Sequence, residues 1–264
     1  MLRGGFRPQN PLPPVGIVAM LEAFLDAPLS HRNLTVFPVT AAHGSVLPYL
    51  LSPEVEGKGI LTVRERGDSE TPMLLVRNGS LHPLLVLSGE PLPEEHPGRV
   101  VARSFILGGK SVTQVPASAM ERGGWVNAED EAEITDWMRR FPSAKLQVGI
   151  LAFRGEEVLG LETLGAPNLY EPVHRRILVR FVKQAMKRQD IPPGNPEILR
   201  QEAQTLLDGL PTADRVEADR LGQGTFWKLN GTVRGGELIE HGRLVHLSVG
   251  PDPAGSAHSN GHGG

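Results

Sequence analysis

The chain has 264 residues, enough to bury a sizeable core, and its 39% hydrophobic and 22% charged residues sit near globular averages. A formal charge of -3 and a pI of about 6.3 provide no overall positive field, so nothing calls for nucleic acid or an anionic membrane as partner. With no cysteine, disulfides, thiolate zinc sites and cysteine nucleophiles are excluded together.

Residues 1–14 are rich in Pro and Gly and read as an extended arm. From Val15 to Leu25, the spacing of Val15, Val18, Leu21 and Leu25 predicts an amphipathic helix ended by Pro28. Glu22 and Asp26 and the lack of a small-residue cleavage site argue against a signal peptide. The run is also too short and too charged to cross a bilayer, so a cytoplasmic protein is expected. Leu34-Thr-Val-Phe-Pro38 reads as a strand with Pro at its end, and Gly59–Glu65 as another. Thr71–Arg77 and Leu81–Leu87 are apolar runs on either side of Asn78-Gly79, the strongest short hairpin signal. Arg99–Leu107 and Ser111–Val115, joined by Gly108-Gly109, predict a second hairpin.

Ala128–Phe141 has acids in its first turn and arginines in its last, matching the helix dipole at both ends. Leu146–Phe153 and Glu157–Leu164 predict a third hairpin around Arg154-Gly155-Glu156. Tyr170–Arg188 reads as a helix with Val173, Ile177, Phe181, Val182 and Ala185 on one face, and Arg175, Arg176, Arg180, Lys183 and Lys187 toward solvent. Pro196–Leu207 follows as a helix after a breaker run, and Gly236–Glu240 with Arg243–Val249 as a strand pair turning at His241-Gly242. Residues 251–264 are a low-complexity tail expected to be disordered. The pattern gives an α+β fold: a β-rich mixed sheet or sandwich with several packed helices, in one domain over residues 1–250.

The polar residues worth weighing cluster between Leu74 and Trp125. Gly89-Glu90 ends a strand expected to be central, where a carboxylate is desolvated unless Arg99 or Arg103 pairs it. Either these residues hold a polar or anionic ligand, or they form an ordinary salt bridge at a strand end. Likewise Trp125 and Glu121 either stack on a base and bond a ribose hydroxyl, or plug the core edge and cap a turn.

The nine histidines show no metal-site spacing, so no metal or other cofactor is expected; His246, between Val245 and Leu247, reads as a satisfied sheet histidine. No GxSxG, SxxK or P-loop is present.

Several pieces, in order, resemble the domain family associated in bacterial gene neighbourhoods with ADP-ribosylglycohydrolases and rhodanese-phosphatase proteins. They are Leu34–Pro38, Val63-Arg-Glu65, Val76-Arg-Asn78, Leu84 through Glu90, Arg99 through Pro116, Glu121 to Trp125, Gln147 through Gly160 with the helix after Tyr170, and Val245-His-Leu247. The sequence departs from the family pattern in three places. A Gly-x-x-Gln-Asn-Arg run is reduced to Arg99, a cysteine becomes Ala119, and an arginine becomes Gly124. The resemblance implies a β-rich fold and a role near ADP-ribose or NAD-derived nucleotides. On that reading the chain is a small-molecule-binding or regulatory module: Arg99 and Arg103 hold phosphate, Glu90 and Glu121 ribose hydroxyls, and Trp125 a base. Two alternatives stand beside it: a non-catalytic scaffold whose partner protein is unknown, and a hydrolase using Glu90 or Glu121 as general base.

Overall fold

The computed structural model describes residues 23–55, 58, 60–66, 73–90, 99–101, 103–119, 128–218, 220–231 and 233–250. The expected N-terminal arm, the tail after residue 250 and residues 15–22 of the first expected helix lie outside them. The last residues of that expected helix form a strand instead, β1 (Ala23–Leu25). Three residues flanked by Pro28 are better satisfied by pairing with a neighbouring strand than by a frayed helix end.

The fold is α+β and β-rich. Its largest sheet joins β1, β2 (Leu29–His31), β3 (Leu34–Ala41), β11 (Gln147–Arg154), β12 (Glu157–Leu164), β13 (Asp214–Glu217), β14 (Thr225–Asn230), β15 (Arg234–Glu240) and β16 (Arg243–Gly250). Their order is β1-β3-β11-β12-β16-β15-β14-β13, with β2 also on β3, and every pair is antiparallel. The hairpins expected at residues 154–156 and 241–242 are present; His241 (φ 50°) and Gly242 (φ 72°) take the left-handed backbone that a tight hairpin turn demands. Pro38 lies inside β3, not at its end. Its carbonyl accepts from the Asp26 N–H, which sets the missing N–H on the side away from β11, just past the end of the β1 pairing, so the β3–β11 ladder is kept.

The hairpin expected at Asn78-Gly79 does not form, and the one at Gly108-Gly109 forms only at its far end, where Arg99–Val101 pairs antiparallel with Ala117–Ala119 while Phe105–Leu107 leaves for another sheet. β6 (Met73–Asn78) pairs with β5 (Leu61–Arg66) and β10 (Val112–Ala119), and β10 also with β8 (Arg99–Val101). β7 (Leu84–Val86) instead joins a separate sheet with β4 (Leu50–Leu51, parallel) and β9 (Phe105–Leu107, antiparallel). Asn78-Gly79 therefore carries the chain from one sheet to another. Neither residue has the positive φ of a two-residue hairpin turn. The Asn78 side chain is instead buried, donating to the carbonyls of His82 (2.8 Å) and Gly108 (3.1 Å).

Helices cover both faces of the large sheet. Alternation along β11 sends Ile150 and Ala152 to one face and Leu151 and Phe153 to the other. The first face packs under α2 (Ala128–Met138), α3 (Pro167–Tyr170) and α4 (His174–Met186), with Leu85 and Ile106 of the β4-β7-β9 sheet. α4 buries Ile177, Leu178, Phe181, Val182 and Ala185, each contributing about 1.5–3 kcal/mol except the alanine. The second face packs under α5 (Pro196–Gly209) through Leu199, Ala203 and Leu207. The α5 start is fixed by Asn195, whose side chain accepts the Glu197 N–H, and by Pro196 in the first turn. A third core lies between the two smaller sheets.

Candidate functional site

The register of the large sheet builds a polar group on its α4 face. Glu162 of β12 lies opposite Ser248 of β16, and His246, two residues earlier, shares that face. The intervening Leu161, Leu247 and Val249 point into the α5 core. The small sheet adds two pieces from above: Ser104, which leads into β9, and the turn Ser88-Gly89-Glu90 that follows β7. Backbone bonds tie this turn to β8, with the Gly89 N–H donating to Val101 and the Val101 N–H to Glu90.

Glu162 is 2% exposed and fully engaged. Its Oε1 lies 2.8 Å from His246 Nε2 and 3.3 Å from Arg180 Nη1, and its Oε2 accepts from Ser248 Oγ at 2.7 Å. Burial pushes this carboxyl up, but His246, Arg180 and Ser248 together outweigh burial and hold it below the usual carboxylate range. His246 Nδ1 lies 2.9 Å from Ser104 Oγ, which accepts the Ser88 N–H at 2.8 Å. The tautomer follows. A carboxylate only accepts, so Nε2 carries the proton; in the neutral ring Nδ1 then accepts from the Ser104 hydroxyl.

Glu90 is the second buried acid, 8% exposed. Its Oε2 accepts from Ser52 Oγ at the start of α1 (Ser52–Val55), and its Oε1 lies 3.8 Å from Arg176 Nη1 but has no hydrogen-bond partner. Burial pushes the Glu90 carboxyl up, opposed by Ser52 and Arg176. Gly89 sits at φ 77°, and a Cβ there would lie 3.7 Å from the Arg180 guanidinium carbon. One turn of α4 thus presents two arginines to two acids: Arg176 to Glu90 and Arg180 to Glu162. Both side chains remain about half exposed, at 41% and 45%.

Of the residues singled out from sequence, Glu90 is in this cluster. Arg103 is not its described partner; the Arg103 guanidinium lies 6.0 Å from the Phe226 ring centroid, and its Nε has no hydrogen-bond partner. Arg99 occupies the first position of β8, and its side chain is not described. Glu121 and Trp125 lie outside the described residues. Arg176 and Arg180 were expected to face solvent. Both are exposed, as expected, yet their guanidinium tips reach acids: Arg176 meets Glu90 on the turn after β7, and Arg180 meets Glu162 on β12. Sequence reasoning also missed Ser104 and Glu162. The signal for Glu162 was a lone carboxylate in the otherwise uncharged run Leu159-Gly-Leu-Glu-Thr-Leu164, inside a strand expected to be buried.

Two other buried polar groups brace the fold. Tyr170 OH lies 2.7 Å from His174 Nδ1 and accepts from Gln147 Nε2 at 3.0 Å, while His174 Nε2 donates to the Phe141 carbonyl at 3.1 Å. Burial pushes His174 down. Arg215 pairs with the fully buried Glu237 at 2.9 Å and caps three carbonyls around Pro211. Two cavities lie away from the cluster: one of about 680 Å³ between β1 and α5, and one of about 510 Å³ beside Trp227 and His241. Among the described residues no group of three or more His, Asp or Glu is placed to hold a metal ion, and no helix is long and apolar enough to cross a membrane.

Fold and site together define a β-rich α+β protein whose central sheet carries a buried acid–histidine–serine cluster beneath an arginine-bearing helix. The family model of the ARG and Rhodanese-Phosphatase-superfamily-associated Protein domain, ARPP-1, matches residues 23–132 and 126–250, and the chain belongs to that family. Comparison with curated proteins and with solved structures gives no match.

Proposed function

We propose that this protein is a small-molecule-binding module whose ligand carries both negative charge and hydroxyl donors, the class to which ADP-ribose and NAD-derived nucleotides belong. One observation carries the reading: Glu90 Oε1 is a buried carboxylate oxygen with no hydrogen-bond donor. Leaving such an acceptor unmade costs about 1–3 kcal/mol, which a ligand hydroxyl at that oxygen recovers. Arg176 and Arg180, one helical turn apart beside it, present guanidinium donors suited to phosphate or carboxylate. The family's association by name with ARG proteins favours the nucleotide class. In this reading Arg99 and Arg103 are further phosphate contacts, Glu121 a ribose contact and Trp125 a stacking platform, all on sequence grounds. The setting is a cytoplasmic domain with no bound cofactor.

Thermal melting against ADP-ribose, NAD, ADP and ribose 5-phosphate tests it. A ligand at a hundred times its Kd stabilises by about 2.7 kcal/mol, a shift of several degrees. Glu90→Gln and Arg176→Ala each abolish the shift. A wild-type protein unmoved by millimolar concentrations of the whole panel refutes the reading.

A scaffold role is favoured by a different observation: every other side-chain polar atom of the Glu162–His246–Ser104–Ser248 group has a partner. Then Glu90→Ala and Arg176→Ala lower stability but leave partner capture intact.

A further inference from the structure

Ser104, His246 and Glu162 come from three separate segments, and nothing in their sequence spacing announces them. Together they place a hydroxyl 2.9 Å from one imidazole nitrogen and a carboxylate 2.8 Å from the other. Such a set is recognised by geometry and roles, not by chain order. We propose that these three residues form a nucleophilic centre for acyl transfer, with Ser104 as nucleophile and a carboxylic ester as substrate class.

The carboxylate fixes the ring orientation and the tautomer, as deduced above, leaving a lone pair on Nδ1 facing the Ser104 hydroxyl. Ser248 and Arg180 fix the carboxylate in turn, so the base is held by a second layer of hydrogen bonds. In the first step Ser104 Oγ forms a bond to the ester carbonyl carbon as its proton passes to His246 Nδ1, and the carbonyl π pair moves to oxygen. Collapse of that oxyanion breaks the bond to the leaving alkoxide, which takes the proton from Nδ1. Water repeats both steps on the acyl-serine, releasing the acid and restoring the Ser104 hydroxyl. Glu162 offsets the positive charge that the ring carries between proton transfers. At rest the Ser88 N–H donates to Ser104 Oγ at 2.8 Å, and that bond is released before the attack.

Ser104 is 1% exposed, and the Ser88 N–H covers its hydroxyl. An acyl group therefore reaches Oγ only when the Ser88-Gly89 turn lifts. The exposed Gly89, at φ 77°, is the hinge for that motion, because its left-handed backbone carries no side-chain penalty. This proposal uses atoms other than Glu90 Oε1. Its probe is a neutral ester, so a failed nucleotide panel leaves it standing.

The experiment treats the folded full chain with a fluorophosphonate and maps the adduct by peptide mass spectrometry, alongside hydrolysis of p-nitrophenyl butyrate. The expected result is one adduct, on Ser104. Ser104→Ala abolishes it, and His246→Gln and Glu162→Gln each slow labelling and hydrolysis on the order of 10²-fold or more. Melting curves establish that each variant is folded. Should a variant fail to fold, the wild-type map decides alone. Absence of an Ser104 adduct in the folded wild type overturns the proposal and leaves the three residues as a structural brace; so does labelling that His246→Gln does not slow.

Discussion

Arg180 of α4 lies 3.3 Å from Glu162 of β12 and packs its guanidinium over Gly89, so one side chain links the central sheet, the covering helix and the β7 turn. The two ends of this contact should respond differently to mutation. Arg180 is half exposed and screened, so Arg180→Ala is expected to cost about 1 kcal/mol or less. Glu162→Ala leaves the Nε2–H of the buried His246 without its acceptor and is expected to cost more, about 1–3 kcal/mol. Urea unfolding of both single variants and the double variant measures the costs and their coupling. Equal losses in the two single variants would contradict this account.

The pH response of Glu90 has a definite sign. Its carboxyl is raised in the folded protein, so folding favours the protonated form. That contribution is full below the ordinary value of 4.5 and is lost as pH climbs through the raised value. Glu90→Gln mimics the protonated state. The variant is expected to gain melting temperature over wild type at neutral pH, and the gain should shrink as pH falls toward 4.5. A gain that grows on acidification would reverse the sign.

Glu162 behaves oppositely. Its carboxyl is held low, so its stabilisation is present above the ordinary value of 4.5 and disappears as pH falls through the lowered one. Acid unfolding of wild type is expected to be steeper than that of Glu162→Gln, as read by circular dichroism between neutral and strongly acidic pH.

Tyr170→Phe removes one oxygen and leaves Gln147 Nε2 and His174 Nδ1 without their buried partner. The expected cost is about 1–3 kcal/mol with no change in ligand response. Chemical denaturation checks the first part and the nucleotide melting panel the second.

Gly149 of β11 faces Thr163 of β12, where a Cβ would stand 2.5 Å from Thr163 Cγ2 and closer still to the Glu162 carbonyl. Gly149→Ala is expected to cost about 1–3 kcal/mol by forcing the two strands apart. Because Glu162 rides on the displaced strand, the same variant should weaken whatever activity the cluster has.

The strands that pair with their nearest neighbour in sequence were readable in advance. β11–β12 and β15–β16 need only alternation and a turn with left-handed residues, and both properties are local. Asn78-Gly79 shows where that stops. The same dipeptide that signals a hairpin here buries its asparagine side chain against carbonyls of the β9 end, and β6 and β7 part into different sheets. A buried amide with several carbonyl partners outweighs a turn preference, but those partners lie about thirty residues downstream.

The sequence by itself determined the fold class, the amphipathic α4 and the burial of a carboxylate at Glu90, because periodicity and the cost of a charge at a strand end are properties of short segments. Only the tertiary structure decided which cation meets which acid. Arg176 and Arg180 lie on the exposed side of the helix and still partner acids, Glu90 on a turn from another sheet and Glu162 on the sheet beneath. The Ser104–His246–Glu162 alignment likewise arises from the β12–β16 register and the stacking of two sheets. Side-chain chemistry of this kind depends on distances of about 3 Å between atoms far apart in the chain, and such distances are set by packing, not by local pattern.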